Sequence, residues 1–124
     1  MNEFFRQAFD LSGQVALVTG GGSGLGFATA KCLACAGARV VITGRREDVL
    51  KKACQELGEG VSFHVSDVTD TEHAGKLIET IVKEHGSIDI LVNNAGNHCK
   101  KAVEDITIQD FRHVMDVHLY GSFA

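Results

Sequence analysis

The chain of 124 residues has no proline and no tryptophan, and its one tyrosine is Tyr120. Without proline, turns fall to glycine and small polar residues, and 14 glycines are present to make them. No apolar run approaches the roughly 18 residues of a transmembrane helix, so no helical membrane span is expected. The start, Met1-Asn2-Glu3-Phe4-Phe5-Arg6, lacks a basic stretch followed by an apolar one, so no secretory signal is expected either. A basic cluster is also missing. The 12 Lys and Arg stand against 16 Asp and Glu, a net charge of -4, which gives no reason to expect nucleic acid or an anionic membrane as partner. Internal repeats, low-complexity stretches and linkers are not found. What remains, 44% apolar and 23% charged, is the balance of one globular domain or part of one, long enough to bury about two thirds of its unfolded surface.

Cysteine is present but sparse. Cys32 and Cys35 form C-x-x-C, yet no second such pair and no H-x-x-x-H follows, so metal and redox chemistry give way to small hydrophobes on or near the packed face of a helix. Cys54 falls on the apolar side of a later helix, and Cys99 in a loop. Four reduced cysteines fit a cytoplasmic setting.

Hydrophobic patterning alternates between two periods. Val15-Ala16-Leu17-Val18 has the length and β-branched content of a buried parallel strand. Leu25, Ala28, Cys32, Leu33 and Ala36 then recur at helical spacing up to Gly37. Residues 39–43 form a second strand; Leu50, Ala53, Cys54 and Leu57 mark a helix closed by Gly58. Val61, Phe63 and Val65 alternate as a third strand. Thr69 and Glu72 have the spacing of a capping box for a helix striped by Ala74, Leu77, Ile78, Ile81 and Val82 and ended by Gly86. Residues 88–92 form a fourth strand, and Thr107 can cap a last helix with an inward face of Phe111, Val114, Met115 and His118. Strands alternating with helices imply right-handed crossovers and a doubly wound parallel sheet of the Rossmann type, in the order 3-2-1-4 and incomplete as it stands. In such a sheet a ligand binds at the carboxyl ends of strands 1 and 4, where the order reverses.

Two motifs fall at that point. The first is Thr19-Gly20-Gly21-Gly22-Ser23-Gly24-Leu25-Gly26, between strand 1 and its helix. A turn without side chains lets backbone N–H groups approach a phosphate, and the helix directs its positive end there. The G-x-G-x-x-G fingerprint fails in every register. A triphosphate loop fails too, because Phe27 stands where Lys is needed. The spacing present is T-G-x-x-x-G-x-G, with glycines at 20, 24 and 26. The second motif is Asn93-Asn94-Ala95-Gly96 after strand 4: adjacent amides whose burial requires hydrogen bonds, then a glycine that permits close backbone approach. Between the two, the end of strand 2 offers Gly44, Arg45 and Arg46 where a carboxylate would accept the ribose hydroxyls of NAD. Nothing there repels a 2′-phosphate, and a guanidinium binds one well. NADP is therefore the expected cofactor, with NAD as the alternative. Asp67-Val68, closing strand 3, lies where an adenine edge would rest; Asp67 could equally cap the next helix.

T-G-x-x-x-G-x-G after the first strand and N-N-A-G after the fourth resemble the short-chain dehydrogenase/reductase family. The resemblance extends to Asp10-Leu11, Asp67-Val68 and Asp116-Val117-His118-Leu119-Tyr120-Gly121, nearly the whole chain. It implies an oxidoreductase moving hydride between a nicotinamide and the carbon of a small-molecule carbonyl or alcohol, homo-oligomeric at full length. Gly20, Ser23, Gly24, Leu25, Gly26, Arg45, Asp67, Val68, Asn94, Ala95 and Gly96 would hold the cofactor. The family's Ser and Y-x-x-x-K are not found: Ala124 stands four residues after Tyr120. At the family's relay Asn position this chain has His118, which can shuttle protons near neutral pH; a hydrogen-bonded structural histidine is the alternative. His98 and Cys99 are candidates for the substrate side. The expectation is residues 1–124 as the cofactor-binding part of a larger single-domain reductase, inactive and marginally stable by itself because strand 4 presents an open edge. A non-catalytic dinucleotide-binding protein is the alternative. A methyltransferase-like domain is disfavoured by N-N-A-G and by the missing acid after strand 2.

Overall fold

The computed structural model describes residues 3–124; Met1 and Asn2, the start of the segment read for a secretory signal, lie outside the described residues. The element order is α1 (Glu3–Ala8), β1 (Val15–Thr19), α2 (Gly24–Cys35), β2 (Arg39–Gly44), α3 (Glu47–Leu57), β3 (Val61–Val65), α4 (Thr71–His85), β4 (Ile90–Val92), a 3-10 turn (Val103–Asp105), α5 (Ile108–Met115), a π turn (Asp116–Tyr120) and α6 (Gly121–Phe123). The sheet is parallel throughout, in the order β3-β2-β1-β4. That is the expected doubly wound order. Among the described residues, no helix is long and apolar enough to cross a membrane.

The strands alternate by period two between helix layers. Ala16, Val18, Val40 and Ile42 face Ala30 of α2 and Leu50 and Ala53 of α3, while Val15, Leu17 and Val41 face Ile81 of α4. Strands buried on both faces read as continuous apolar runs, which is what 15–18 and 40–42 are. Gly37, Gly58 and Gly86 end the three crossover helices with φ of +98°, +87° and +94°, a region that β-carbons disfavour.

Several local expectations are corrected. The packed face of α2 is Gly26, Phe27, Ala30, Leu33 and Ala34, whereas Leu25, Ala28 and Cys32 point outward. This helix is apolar almost all round, so spacing alone did not choose its face. Cys32 and Cys35 are exposed free thiols rather than packed ones, whereas burial pushes the Cys54 thiol pKa up. The capping box at Thr69 does not form. Asp67 Oδ1 accepts from both the Thr69 amide and its hydroxyl, at 2.9 and 2.8 Å, and α4 begins after Asp70. β4 starts at Ile90 because Asp89 meets Val15 through its side chain and its own amide, each at 2.8 Å. Thr107 caps α5 in a reciprocal box with Asp110. The helix is then interrupted by the π turn, and its expected inward face is not buried: Phe111 and His118 are exposed, Val114 and Met115 half-buried.

Candidate functional site

A cavity of about 420 Å³ opens at the carboxyl ends of the strands. Its walls come from the glycine turn after β1, the ends of β2 and β3, the N-N-A-G turn and α5. Of the residues expected to hold a cofactor, Gly20, Ser23, Leu25, Gly26, Arg45, Asp67, Val68, Asn94, Ala95 and Gly96 all line it. Gly24 is not part of the wall; its φ of +56° turns the chain into α2.

The floor is built by close backbone approach. A Cβ on Gly26 would collide with the Gly20 carbonyl oxygen and with Asn94 Nδ2, and one on Gly20 would sit 3.0 Å from the Ala95 Cα. Asn94 holds the two turns together: its Nδ2 donates to the carbonyls of Thr19 (2.9 Å) and Gly20 (3.2 Å). Thr19 Oγ1 accepts from the amides of Asn94 (3.1 Å) and Ala95 (3.0 Å). The costly amide of the N-N-A-G turn is thus satisfied largely by the chain itself. Thr19 is a site-building residue that the sequence reading placed in the motif without giving its side chain a role. Its signal was a hydroxyl ending a buried strand.

The electrostatics suit an anion at one end and a purine at the other. α2 is capped at Ser23 without a side-chain hydrogen bond, and its first turn carries no acidic residue, so its N-terminal dipole is not offset by a local carboxylate. Arg45 and Arg46 form the wall after β2. The carboxylate that follows them, Glu47, is paired with Lys51 at 2.7 Å, one turn along α3. Asp67 is held below the usual carboxylate range, first by the Thr69 amide, then by the Thr69 hydroxyl and the positive charge of Arg45. Asn97 also lines the cavity, and its Oδ1 is buried without a hydrogen-bond partner among the described residues. An orphaned acceptor, a helix N-terminus without a side-chain cap bond and a side-chain-free turn fit a phosphorylated ligand that carries hydroxyl donors.

His118 does not line this cavity. It sits in the π turn against Gly96, where a Cβ would stand 2.7 Å from its Cε1. Its Nε2 lies 2.7 Å from the Asn97 carbonyl oxygen and 3.1 Å from the Asn97 amide nitrogen. With the proton on Nε2 the ring donates to the carbonyl; with the proton on Nδ1 it accepts from the amide. His98 and Cys99 lie outside the cavity lining, whereas His113 and Val117, which no motif marked, belong to it.

Comparison with known proteins agrees with this geometry. The sequence profile of the short chain dehydrogenases matches residues 14–124. The chain belongs to the short-chain dehydrogenase family. It is 41% identical over 115 residues to the NADP-dependent (R)-specific alcohol dehydrogenase of Lentilactobacillus kefiri, covering 91% of this chain and 46% of that relative. It is 40% identical over 114 residues to the peroxisomal 2,4-dienoyl-CoA reductase of Arabidopsis thaliana, covering 90% of this chain and 38% of that relative. The crystal structure of a short chain dehydrogenase from Bacillus anthracis superposes with a TM-score of 0.85 at 37% identity, covering 90% of this chain and 47% of that one. This short-chain dehydrogenase sequence therefore spans less than half the length of these relatives.

Proposed function

We propose that the protein is an NADP-dependent oxidoreductase of the short-chain type, reducing a small-molecule carbonyl or oxidising an alcohol. NAD is the alternative cofactor. The supporting observation is the cavity wall in which the glycine turn, the N-N-A-G turn and the Arg45-Arg46 pair meet, with neither Glu47 nor Asp48 among the lining residues. The turn after β1 and the start of α2 receive the pyrophosphate. Arg45 and Arg46 receive the 2′-phosphate, and Asp67 with Val68 the adenine. Asn94, Ala95 and Gly96 form the wall toward the reacting end. A bound nicotinamide supplies the hydride acceptor or donor. His118, beside Gly96, is proposed as the proton-relay residue: with its Nε2 engaged by Asn97, Nδ1 is left to exchange a proton with solvent or a neighbouring group. Residues 1–124 are read as the cofactor-binding part of a larger single-domain reductase, cytoplasmic and homo-oligomeric, with the family's Ser, Tyr and Lys outside this sequence.

The test is direct binding of NADPH and NADH, followed by the cofactor's own fluorescence, to the wild type and to Arg45→Ala/Arg46→Ala. The wild type is expected to favour NADPH, and the double variant to lose roughly tenfold to a hundredfold of that preference. Tighter binding of NADH by the wild type would overturn the NADP assignment. A second reading is a dinucleotide-binding protein without catalysis. Intact mass from the natural source separates the two. A product about twice 13.3 kDa supports the enzyme, and one of 13.3 kDa the binder.

A further inference from the structure

His113 lies on α5 and lines the same cavity as Asp67. Neither motif contains it. Its ring makes no hydrogen bond among the described residues, and it is solvent-exposed, so it has no visible structural task. Asp67 is committed on one side only: Oδ1 accepts both hydrogen bonds from Thr69, and Oδ2 accepts none among the described residues. Val68 and Val117 add apolar surface to the same part of the wall. A carboxylate oxygen, an imidazole and two valines are a set that a flat base bearing hydrogen-bond donors would fill.

Resting on the dinucleotide reading above, we propose that His113 reads the adenine base jointly with Asp67. The exocyclic amino group of adenine carries two N–H donors. Asp67 Oδ2 accepts one, and the unprotonated ring nitrogen of His113 accepts the other. Hypoxanthine carries an oxygen at that position, an acceptor facing a carboxylate, and is rejected. Asp67, being held below the usual carboxylate range, presents Oδ2 as an ionised acceptor.

The experiment measures, in the protein at its full natural length, dissociation constants for NADPH and for its hypoxanthine analogue at about pH 8. The wild type should prefer the adenine cofactor, and in His113→Ala that preference should shrink roughly fivefold, the loss expected for one neutral hydrogen bond. His113→Gln, whose amide oxygen accepts, should keep the larger preference. An unchanged preference in His113→Ala, an equal weakening of both cofactors, or a His113→Gln that behaves like alanine would overturn the proposal. If the wild type binds neither dinucleotide, the functional reading falls and this inference with it. Binding that is indifferent to His113 overturns this inference alone.

Discussion

The two ends of the chain are built on different principles. From β1 to α3 the structure is held by burial: Val15, Ala16, Val18, Val41 and Ile42 are fully enclosed, and the helices that cover them end on left-handed glycines. From β4 onward no residue is fully buried. That region is held instead by directed polar contacts: Asp89 on Val15, Asn94 on Thr19 and Gly20, His118 on Asn97, and Lys101 and Thr107 on Asp110. The cavity spans the seam between them. A ligand placed there touches a rigid wall on one side and, on the other, a wall fixed by a few hydrogen bonds. Binding is therefore expected to order the β4–α5 side more than the β1–α3 side.

The largest expected effect attacks the buried region. Ile81 is wholly enclosed and is the fully buried residue of α4. Ile81→Ala should destabilise the domain by about 2–5 kcal/mol, read by denaturant unfolding. A loss below about 1 kcal/mol would mean that the face of β1 and β2 beneath α4 is not closed in solution. Next comes Gly26→Ala, at the seam. The added methyl meets the Gly20 carbonyl and an Asn94 amide that is itself pinned to two carbonyls, so neither neighbour can yield cheaply. A cost of about 1–3 kcal/mol is expected, with NADPH binding reduced more than tenfold because the turn itself must shift. Unaltered binding would show that the N-N-A-G turn can move away from the glycine turn.

A smaller effect probes the polar region. Thr107→Ala removes the N-cap of α5 and should cost about 1 kcal/mol. Hydrogen exchange should then show α5 amides exchanging faster while those of β1 and β2 do not change. Acid should act on the same side. Lys101, then the Thr107 amide and hydroxyl, hold the Asp110 carboxyl well below the usual carboxylate range. A carboxyl whose folded pKa is depressed contributes stability above its unfolded value near 4, and that stability is lost as pH falls through the folded value. Protection of α5 should therefore fall on acidification below about pH 4, and Asp110→Asn should remove that acid response. Equal sensitivity of β1 and β2 would erase the distinction between the two regions.

Legibility in the sequence follows the same division. Where burial decides, the reading held: the strands read at 15–18, 39–43 and 61–65, the 3-2-1-4 order and the glycine stops are carried by runs and punctuation of definite period. Most of the packed face of α2 was misread, Leu33 excepted, because a helix apolar almost all round has little contrast for periodicity to use. Where polar partners decide, spacing is ambiguous. Thr69 and Glu72 spell a cap, but Asp67, two residues earlier, takes both Thr69 donors first. Thr107 and Asp110 have the same i, i+3 geometry and do close. His113 carried no signal, since its position in the cavity arises from α5 lying over the sheet ends, a tertiary fact. The π turn that carries His118 has no sequence signature either.

The smallest expected effect is also the sharpest check on the open side of the molecule. Phe123 in α6 is 91% exposed, and Phe111 and Leu119 are more than half exposed. In the chain by itself, Phe123→Ser removes no buried surface, so unfolding free energy should change by less than about 0.5 kcal/mol. If a second copy of the protein covers this face, as the proposed homo-oligomer requires, the same substitution should leave each subunit's fold unaltered and weaken association. That weakening would appear as a concentration-dependent drop in sedimentation coefficient. A single phenylalanine thus separates two kinds of exposure: a side chain that ends at solvent, and one whose cover comes from outside these 124 residues. A loss of several kcal/mol in monomer stability would contradict both, and would mean that α6 packs back onto its own chain.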